Sequence, residues 1–303
     1  MKYSRSHAAS PIRFNVIIFL AIMAVSCPLY GSDITLQDDV LSVSFDPDSG
    51  ALTRFENKNP HWVIERRPEF GVSFRLYAPL PTRRYNPIFG QKQKVVEIKK
   101  VSDNEISMRW NNLMSENGGV LPMSFAADVT LTNGALTFAS TLKNDSDLTV
   151  ETIEYPYFGD LNPPSRDSSL TTYTMTKGAL KPDELYPHFH NEKGYWGVTW
   201  PTKMLEPQNS HFCAIQAPDM TLYFDAAADY RVQYVFEQHP GVISGVTALV
   251  PPEDEISGIP VHLEFRVCHF VFAGPHSTTT LAPVILKRYH GDWHDGQNSP
   301  ASN

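Results

Sequence analysis

A cluster in the second half of the chain carries the side chains best suited to chemistry. Its members are Tyr186, His188, His190 and Glu192, followed by Tyr195, Trp196 and Trp200. In an extended segment, residues 188, 190 and 192 lie on one face, because alternate side chains of a strand point the same way. Two imidazoles and a carboxylate could begin a zinc site, but such a site needs a further ligand, and Pro187 interrupts the spacing. The sequence also lacks a glycine-rich phosphate loop, so we predict neither a bound metal nor a cofactor.

The aromatic residues of the same cluster are suited to holding a sugar. Their rings can stack on pyranose rings while carboxylates accept hydrogen bonds from sugar hydroxyl groups. The predicted carbohydrate-binding residues are Tyr186, Glu192, Tyr195, Trp196, Trp200 and Asp160. The competing interpretation is that aromatic residues at alternate strand positions belong to the hydrophobic core.

A second polar group lies in the stretch 144–164. Turn-forming residues at 144–147 precede branched residues typical of a strand. Carboxylates and tyrosines follow at Glu151, Glu154, Tyr155, Tyr157 and Asp160. Pro156, Gly159, Pro163 and Pro164 predict that this segment does not continue as regular sheet. Carboxylates and tyrosines at the rim of a stiff β scaffold are groups that hold sugar hydroxyls, although any solvated strand end carries similar residues.

The elements that must position these residues are strands. From residue 33 onward apolar residues recur with a period of two, and turn residues separate the runs. The clearest hairpins join 40–46 to 51–55 through a turn at 46–50, and 125–132 to 135–142 through Asn133 and Gly134. No run of about 12 residues keeps helical spacing without proline or glycine. With 24 prolines and 17 glycines, the sequence predicts an all-β fold, an antiparallel sandwich of many strands.

The charge of the chain restricts the partners it can bind. The formal net charge is -8 and the pI is about 5.7. Nucleic-acid-binding proteins gain affinity by replacing phosphate counterions with lysine and arginine. We therefore exclude nucleic acid as a partner and expect an uncharged or cationic one.

The first residues are typical of a targeting signal that is removed from the mature chain. Lys2, Arg5 and Arg13 precede an apolar run at 16–25 that is too short to span a bilayer. We predict a signal peptide over 1–32, one β domain over 33–296 and a polar tail over 297–303. The protein is then exported to the periplasm or the medium, with no transmembrane span in the mature chain. In the alternative, Cys27 anchors a lipoprotein.

Two cysteines remain in the predicted mature chain. Cys213 and Cys268 each lie inside an apolar strand run. Export permits a disulfide between them, but a buried free thiol is an equally natural occupant of such a run. The sequence leaves both alternatives open.

Three segments together resemble a known family. They are 41–57, 144–161 and 281–294, the last ending in Gly291, Asp292, Trp293 and His294. The combination resembles the N-terminal β-supersandwich of bacterial glycoside-hydrolase-type proteins, including the DUF6259 group, in the galactose mutarotase-like superfamily. It spans nearly all of the predicted mature chain and implies a large antiparallel β-supersandwich. In such relatives the last segment leads into a catalytic barrel, which we expect to be absent from this chain.

The resemblance implies a carbohydrate-related function in one of two forms. We favour an exported glycan-binding or accessory domain, with a poly- or oligosaccharide as ligand and a separate catalytic barrel as partner. The alternative is a carbohydrate-active enzyme, either a glycosidase or an aldose epimerase. Epimerases of the mutarotase-like superfamily use a histidine acid and a glutamate base. His188 or His190 and Glu151 or Glu154 could take those roles.

Overall fold

The computed structural model describes residues 33–65, 72–159, 161, 164–165, 170–174, 178–180, 202–205, 212–226, 231–240 and 261–291. All of them belong to the unit Gly31–Asn303. Within these ranges the helical structure is a short 3-10 helix at Gly90–Lys92. None of the described residues belongs to a helix long and apolar enough to cross a membrane.

The described residues form 22 strands, and every paired strand is antiparallel to its neighbour. The strands are β1 (Ile34–Gln37), β2 (Leu41–Phe45), β3 (Leu52–Asn57), β4 (Trp62–Glu65), β5 (Arg75–Tyr77), β6 (Pro87–Phe89), β7 (Glu97–Ser102), β8 (Glu105–Asn111), β9 (Met114–Ser115), β10 (Gly119–Val120), β11 (Met123–Thr132), β12 (Ala135–Asn144), β13 (Val150–Gly159), β14 (Thr171–Thr174), β15 (Gly178–Leu180), β16 (Thr202–Leu205), β17 (Phe212–Ala217), β18 (Met220–Asp225), β19 (Val232–Pro240), β20 (Val261–Ala273), β21 (Ser277–Thr280) and β22 (Val284–His290).

These strands assemble into three large sheets and one two-stranded ribbon. β1 to β4 form a four-stranded sheet in sequence order, and β9 pairs with β10. A ten-stranded sheet has the order β15-β14-β17-β18-β22-β12-β11-β8-β7, with β21 also paired to β12. A six-stranded sheet has the order β16-β19-β20-β13-β5-β6. β13, which carries Glu151 and Glu154, therefore lies in the interior of the six-stranded sheet.

Both hairpins with strong turn chemistry form as predicted. Asn133 and Gly134 have φ angles of 51° and 74°, the pair of left-handed residues that a type I′ turn requires. In the other hairpin, Gly50 has a φ of 69°, and a Cβ atom at this position would lie 2.5 Å from Cζ2 of Trp110. Only glycine meets both conditions, so this turn can press directly against the core.

The three large sheets share one hydrophobic core. Phe158 of β13 is fully buried. Its ring centroid lies 5.1 Å from that of Phe55 in the four-stranded sheet and 5.7 Å from that of Phe224 in the ten-stranded sheet. One ring of the six-stranded sheet thus packs against both other sheets, so the position of β13 is fixed by the core as well as by its own ladder.

β13 passes through one of the residues predicted to end it. The strand is not stopped at Pro156 but runs to Gly159, one of the predicted stop residues, with a bulge between Glu154 and Tyr157. The bulge takes the proline out of the hydrogen-bonded register, where its missing N–H would otherwise break the ladder. The extra residue also places Tyr157 on the side of Glu154, and its hydroxyl donates to that carboxylate at 2.5 Å.

Cys213 and Cys268 do not form the disulfide that the sequence left open, because both are free thiols. Cys213 belongs to the shared core, and so does Val267, the neighbour of Cys268. Adjacent strand residues face opposite sides, so Cys268 lies on the other face of the six-stranded sheet. Burial raises the pKa of both thiols, and for Cys268, where nearby Glu154 adds to the rise, to about 12. Neither thiol is a nucleophile at neutral pH.

The carboxylate of Asp38 ties the four-stranded sheet to the ten-stranded one. Its Oδ1 accepts hydrogen bonds from the amides of Val40 and Leu41 at 2.8 and 2.7 Å, and its Oδ2 accepts one from the Gly134 amide at 2.7 Å. Partial burial raises the pKa of Asp38, but these three amides, with help from Lys58, outweigh burial and leave the pKa below its ordinary value of 3.8.

The stabilisation from Asp38 is expected to depend on pH. Since the folded-state pKa is lowered, the contribution is present above the unfolded-state value near 3.8 and is lost as the pH falls through the lower folded-state value. At pH 7, Asp38→Asn should lower the free energy of unfolding by about 1–2 kcal/mol, because an amide nitrogen cannot accept from Gly134. Urea unfolding at neutral and acidic pH should show the gap between variant and wild type narrowing in acid. Asp39→Asn, at the exposed neighbouring position, should differ little from wild type at either pH.

Two tyrosines of β13 are expected to respond oppositely to loss of the hydroxyl. The Tyr155 hydroxyl is buried and has no hydrogen-bond partner in the part of the chain that the structure describes. Tyr155→Phe should therefore raise the free energy of unfolding by about 1 kcal/mol, since an unpaired buried hydroxyl is unfavourable. Tyr157→Phe should lower it by about 1–2 kcal/mol, because Glu154 loses a donor. Two changes of the same sign in chemical denaturation would contradict this assignment.

Candidate functional site

Most of the residues selected from the sequence fall outside the described residues. This applies to Tyr186, His188, His190, Glu192, Tyr195, Trp196, Trp200 and Asp160. Their catalytic and carbohydrate-binding roles remain predictions. In the sequence, Asp160 directly follows β13, and the other seven residues lie between β15 and β16, the edge strand of the six-stranded sheet. Glu151 and Glu154 are described, and they have different surroundings.

Glu154 is held by two arginines and a tyrosine from its own and neighbouring strands. Its Oε2 lies 2.5 Å from Nε of Arg75 on β5 and 2.9 Å from Nε of Arg266 on β20. The Tyr157 hydroxyl donates to the same oxygen at 2.5 Å. The side chains of Glu154, Arg75 and Arg266 are only 8%, 14% and 5% exposed. We call these four residues the Glu154 clamp.

Strand register explains how the clamp forms. Glu154 pairs directly with Arg75 on one side, and Tyr157 pairs directly with Arg266 on the other. Directly opposed residues of antiparallel strands share a face and lie about 5 Å apart. Charged groups from three strands therefore converge on one face, where the opposite charges compensate for burial.

Aromatic rings surround the two guanidinium groups. The Cζ atom of Arg75 lies 5.6 Å from the ring centroid of Tyr77 and 5.9 Å from those of Phe89 and Tyr157. The Cζ atom of Arg266 lies 5.7 Å from the Tyr157 ring. These distances allow cation–π attraction, which is stronger away from water. Burial raises the pKa of Tyr77, while nearby Arg75 lowers this pKa and nearby Glu154 raises it. The net effect is a raised pKa, so the Tyr77 hydroxyl stays protonated at neutral pH.

Two acceptor oxygens on this face have no donor among the described residues. The described contacts of Glu154 all involve Oε2, and no described residue donates to its Oε1. In the strand pairing, Glu154 lies opposite Cys268 on β20, and Cys268 lies opposite Gln233 on β19, so these three residues form a row across one face of the sheet. Gln233 has a buried Oε1 without a hydrogen-bond partner among the described residues. Both atoms can accept from hydroxyl donors.

Glu151 occupies a more exposed environment three residues earlier. Its Oε2 lies 2.7 Å from a terminal nitrogen of Arg84, whose side chain is 79% exposed. Among the described residues, the two candidate glutamates therefore have separate arginine partners and no shared one.

Sequence reasoning missed Arg75, Arg266 and Gln233. A signal was present for Arg266, since an arginine inside the apolar run 265–270 must find a buried partner. The identity of that partner could not be inferred, because Glu154 lies more than 100 positions away along the chain.

Comparison with known proteins supports the fold and goes no further. No family model and no curated protein sequence matches the chain. A GalM/aldose epimerase homologue from Caenorhabditis elegans is similar in structure, with a TM-score of 0.52, 10% identity, and coverage of 86% of this chain and 99% of that one. A protein from Escherichia coli K12 provisionally named an aldose 1-epimerase has a TM-score of 0.51, 13% identity, and coverage of 86% and 99%. The chain has the galactose mutarotase-like fold.

A larger enzyme contains a similar region. An α-N-acetylgalactosaminidase from Bifidobacterium bifidum matches 86% of this chain with 36% of its own length, at 10% identity and a TM-score of 0.46. At these identities the comparisons describe fold alone. The predicted all-β supersandwich is confirmed, whereas membership of the glycoside-hydrolase-type group and of DUF6259 stays a prediction.

Proposed function

We propose that this chain is an exported carbohydrate-binding domain whose ligand lies against the face of the six-stranded sheet that carries the Glu154 clamp. The observation that carries the proposal is that a carboxylate fixed in orientation and a buried amide oxygen lie on the same face of the sheet. Glu154 Oε1 and Gln233 Oε1 both lack donors among the described residues. Acceptors of this kind are completed by a ligand that supplies several hydroxyl donors, as a sugar does.

The clamp gives Glu154 a binding role in preference to a chemical one. Its Oε2 is engaged by Arg75, Arg266 and Tyr157, so the carboxylate is fixed in orientation before a ligand arrives. Preorganised acceptors improve affinity because less side-chain entropy is lost on binding. The net charge of -8 also suits a neutral ligand better than an anionic one.

The binding test uses two glutamines that differ in position. Gln233 and Gln216 both have a buried Oε1 without a partner among the described residues, but Gln216 lies on β17 in the ten-stranded sheet. A glycan array should first identify sugars that bind the wild-type chain. In calorimetry, Gln233→Leu should then weaken sugar binding about 3- to 10-fold, the value of one hydrogen bond. Gln216→Leu should bind as wild type, and equal losses in both variants would remove this face from the proposal.

The second candidate function is an aldose epimerase, and it is favoured by the structural similarity to a GalM/aldose epimerase homologue. In that case His188 or His190 would act as the acid and Glu154 or Glu151 as the base. Polarimetry of freshly dissolved α-D-galactose tests this directly. A rate above the spontaneous one that disappears in His188→Ala and Glu154→Gln would establish the enzyme, provided that both variants remain folded. A rate equal to the buffer rate would exclude galactose epimerisation.

Export and an accessory role complete the proposal. Mass spectrometry of the protein from its native host should find an N-terminus near Asp33, in agreement with a signal peptide over 1–32. A mature chain that begins at Cys27 with an attached lipid would favour the anchored alternative. Copurification with a separately encoded glycoside hydrolase barrel would support the accessory role.

A further inference from the structure

An aromatic residue near the end of β20 has an unfavourable backbone and an unfavourable environment. Phe272 has a φ of 44° and is 62% exposed. A left-handed conformation is an outlier for a bulky residue, and water contact removes the benefit of burying its ring. Neither backbone preference nor core packing accounts for phenylalanine at this position. Strained, exposed residues of this kind are found where a surface binds something.

The turn after Phe272 is firmly held. The side-chain amide of Asn144 donates to the carbonyls of Leu148 and Gly274 at 2.7 and 2.9 Å. The Ser277 hydroxyl donates to the Gly274 carbonyl at 2.6 Å. These bonds connect the end of β20 to the end of β12, so the Phe272 ring is presented from a fixed backbone.

A charged residue lies opposite Phe272 in the strand pairing. The register of β13 with β20 leaves residues 271–272 opposite Glu151. Glu151 pairs with Arg84 at 2.7 Å, and Arg84 is followed in sequence by Tyr85, which is 37% exposed. A carboxylate–guanidinium pair therefore lies opposite Phe272 in the strand pairing. The Tyr85 ring, next in sequence to Arg84, lies 6.0 Å from the ring of Tyr77.

We propose that Phe272, Tyr85, Glu151 and Arg84 form a surface subsite for one pyranose ring of an oligosaccharide, separate from the Glu154 clamp. This rests on the proposed carbohydrate-binding function. A sugar needs one aromatic face for its C–H groups and polar neighbours for its hydroxyls. A protein partner would need a contiguous apolar centre in a much larger interface, whereas the residue opposite Phe272 in the strand pairing, Glu151, is charged and pairs with Arg84.

The test separates binding from folding. Calorimetry would use neutral hexasaccharides of glucose, galactose, mannose and xylose, together with the free monosaccharides. Phe272→Gly should weaken binding of the best hexasaccharide about 3- to 10-fold, the value of one aromatic contact, and leave monosaccharide binding unchanged. Its Tm should be no lower than that of wild type, because glycine adopts a positive φ without strain. Val96→Ala removes another exposed apolar side chain, 61% exposed, and should bind as wild type.

Each outcome decides the proposal. Unchanged hexasaccharide affinity in Phe272→Gly would overturn the subsite and leave the proposed function intact. An equal loss for monosaccharide and hexasaccharide would assign Phe272 to the clamp site and also overturn a separate subsite. If no sugar in the panel binds the wild-type chain, both proposals fail.

Discussion

Glu154→Gln is expected to lower the free energy of unfolding by about 3–5 kcal/mol, the usual effect of removing one partner from a buried ion pair. The substitution keeps the size of the side chain and removes the charge that Arg75 and Arg266 share at 2.5 and 2.9 Å. Two guanidinium groups would then face each other across a neutral amide at a buried position. Urea unfolding followed by tryptophan fluorescence measures the change.

Glu151→Gln is the matched control for this prediction. Glu151 lies on the same strand and also pairs with an arginine, but Arg84 is 79% exposed. Exposed ion pairs contribute about 0–1 kcal/mol. Similar losses in both variants would show that the clamp does not behave as a buried charge network.

Phe158→Ala should lower the free energy of unfolding by about 3–5 kcal/mol, the range for deleting a fully buried aromatic ring. The cavity would open between Phe55 of the four-stranded sheet and Phe224 of the ten-stranded sheet, which both contact the ring. Because the three sheets meet there, little collapse can fill the space. Chemical denaturation of the purified variant measures the loss.

Phe272→Ala provides the comparison at an exposed phenylalanine. With the ring 62% exposed, its removal should change the free energy of unfolding by less than about 0.5 kcal/mol. If Phe158→Ala lost as little stability as this, the packing of the three sheets would not depend on the Phe158 ring.

The local parts of the fold are those that the sequence predicts well. Asn133 and Gly134 are confirmed as a hairpin turn because a type I′ turn depends on two adjacent residues that tolerate a positive φ. The hairpin of β17 and β18 also joins neighbouring strands through a short turn, at residues 218–219. Alternation within each run then indicates which residues face the core.

Other elements escape sequence reasoning because their partners are distant. β22 (Val284–His290) gives no hairpin signal, yet it lies between β18 and β12 in the ten-stranded sheet. The bulge that carries Pro156 through β13 depends on its pairing with β20. The left-handed Phe272 likewise arises from a register shift between the same two strands.

The sequence by itself determined that this is an antiparallel β protein. Strand alternation and turn formation each depend on only a few consecutive residues, so both can be read directly from the sequence. It also identified Glu154 as a candidate catalytic residue. Only the tertiary structure decided that Arg75 and Arg266 hold this carboxylate and that Glu151 pairs with Arg84 instead. The physical reason is that charge pairing acts across space, between strands whose paired residues are 79 or more positions apart, while backbone preference acts along the chain.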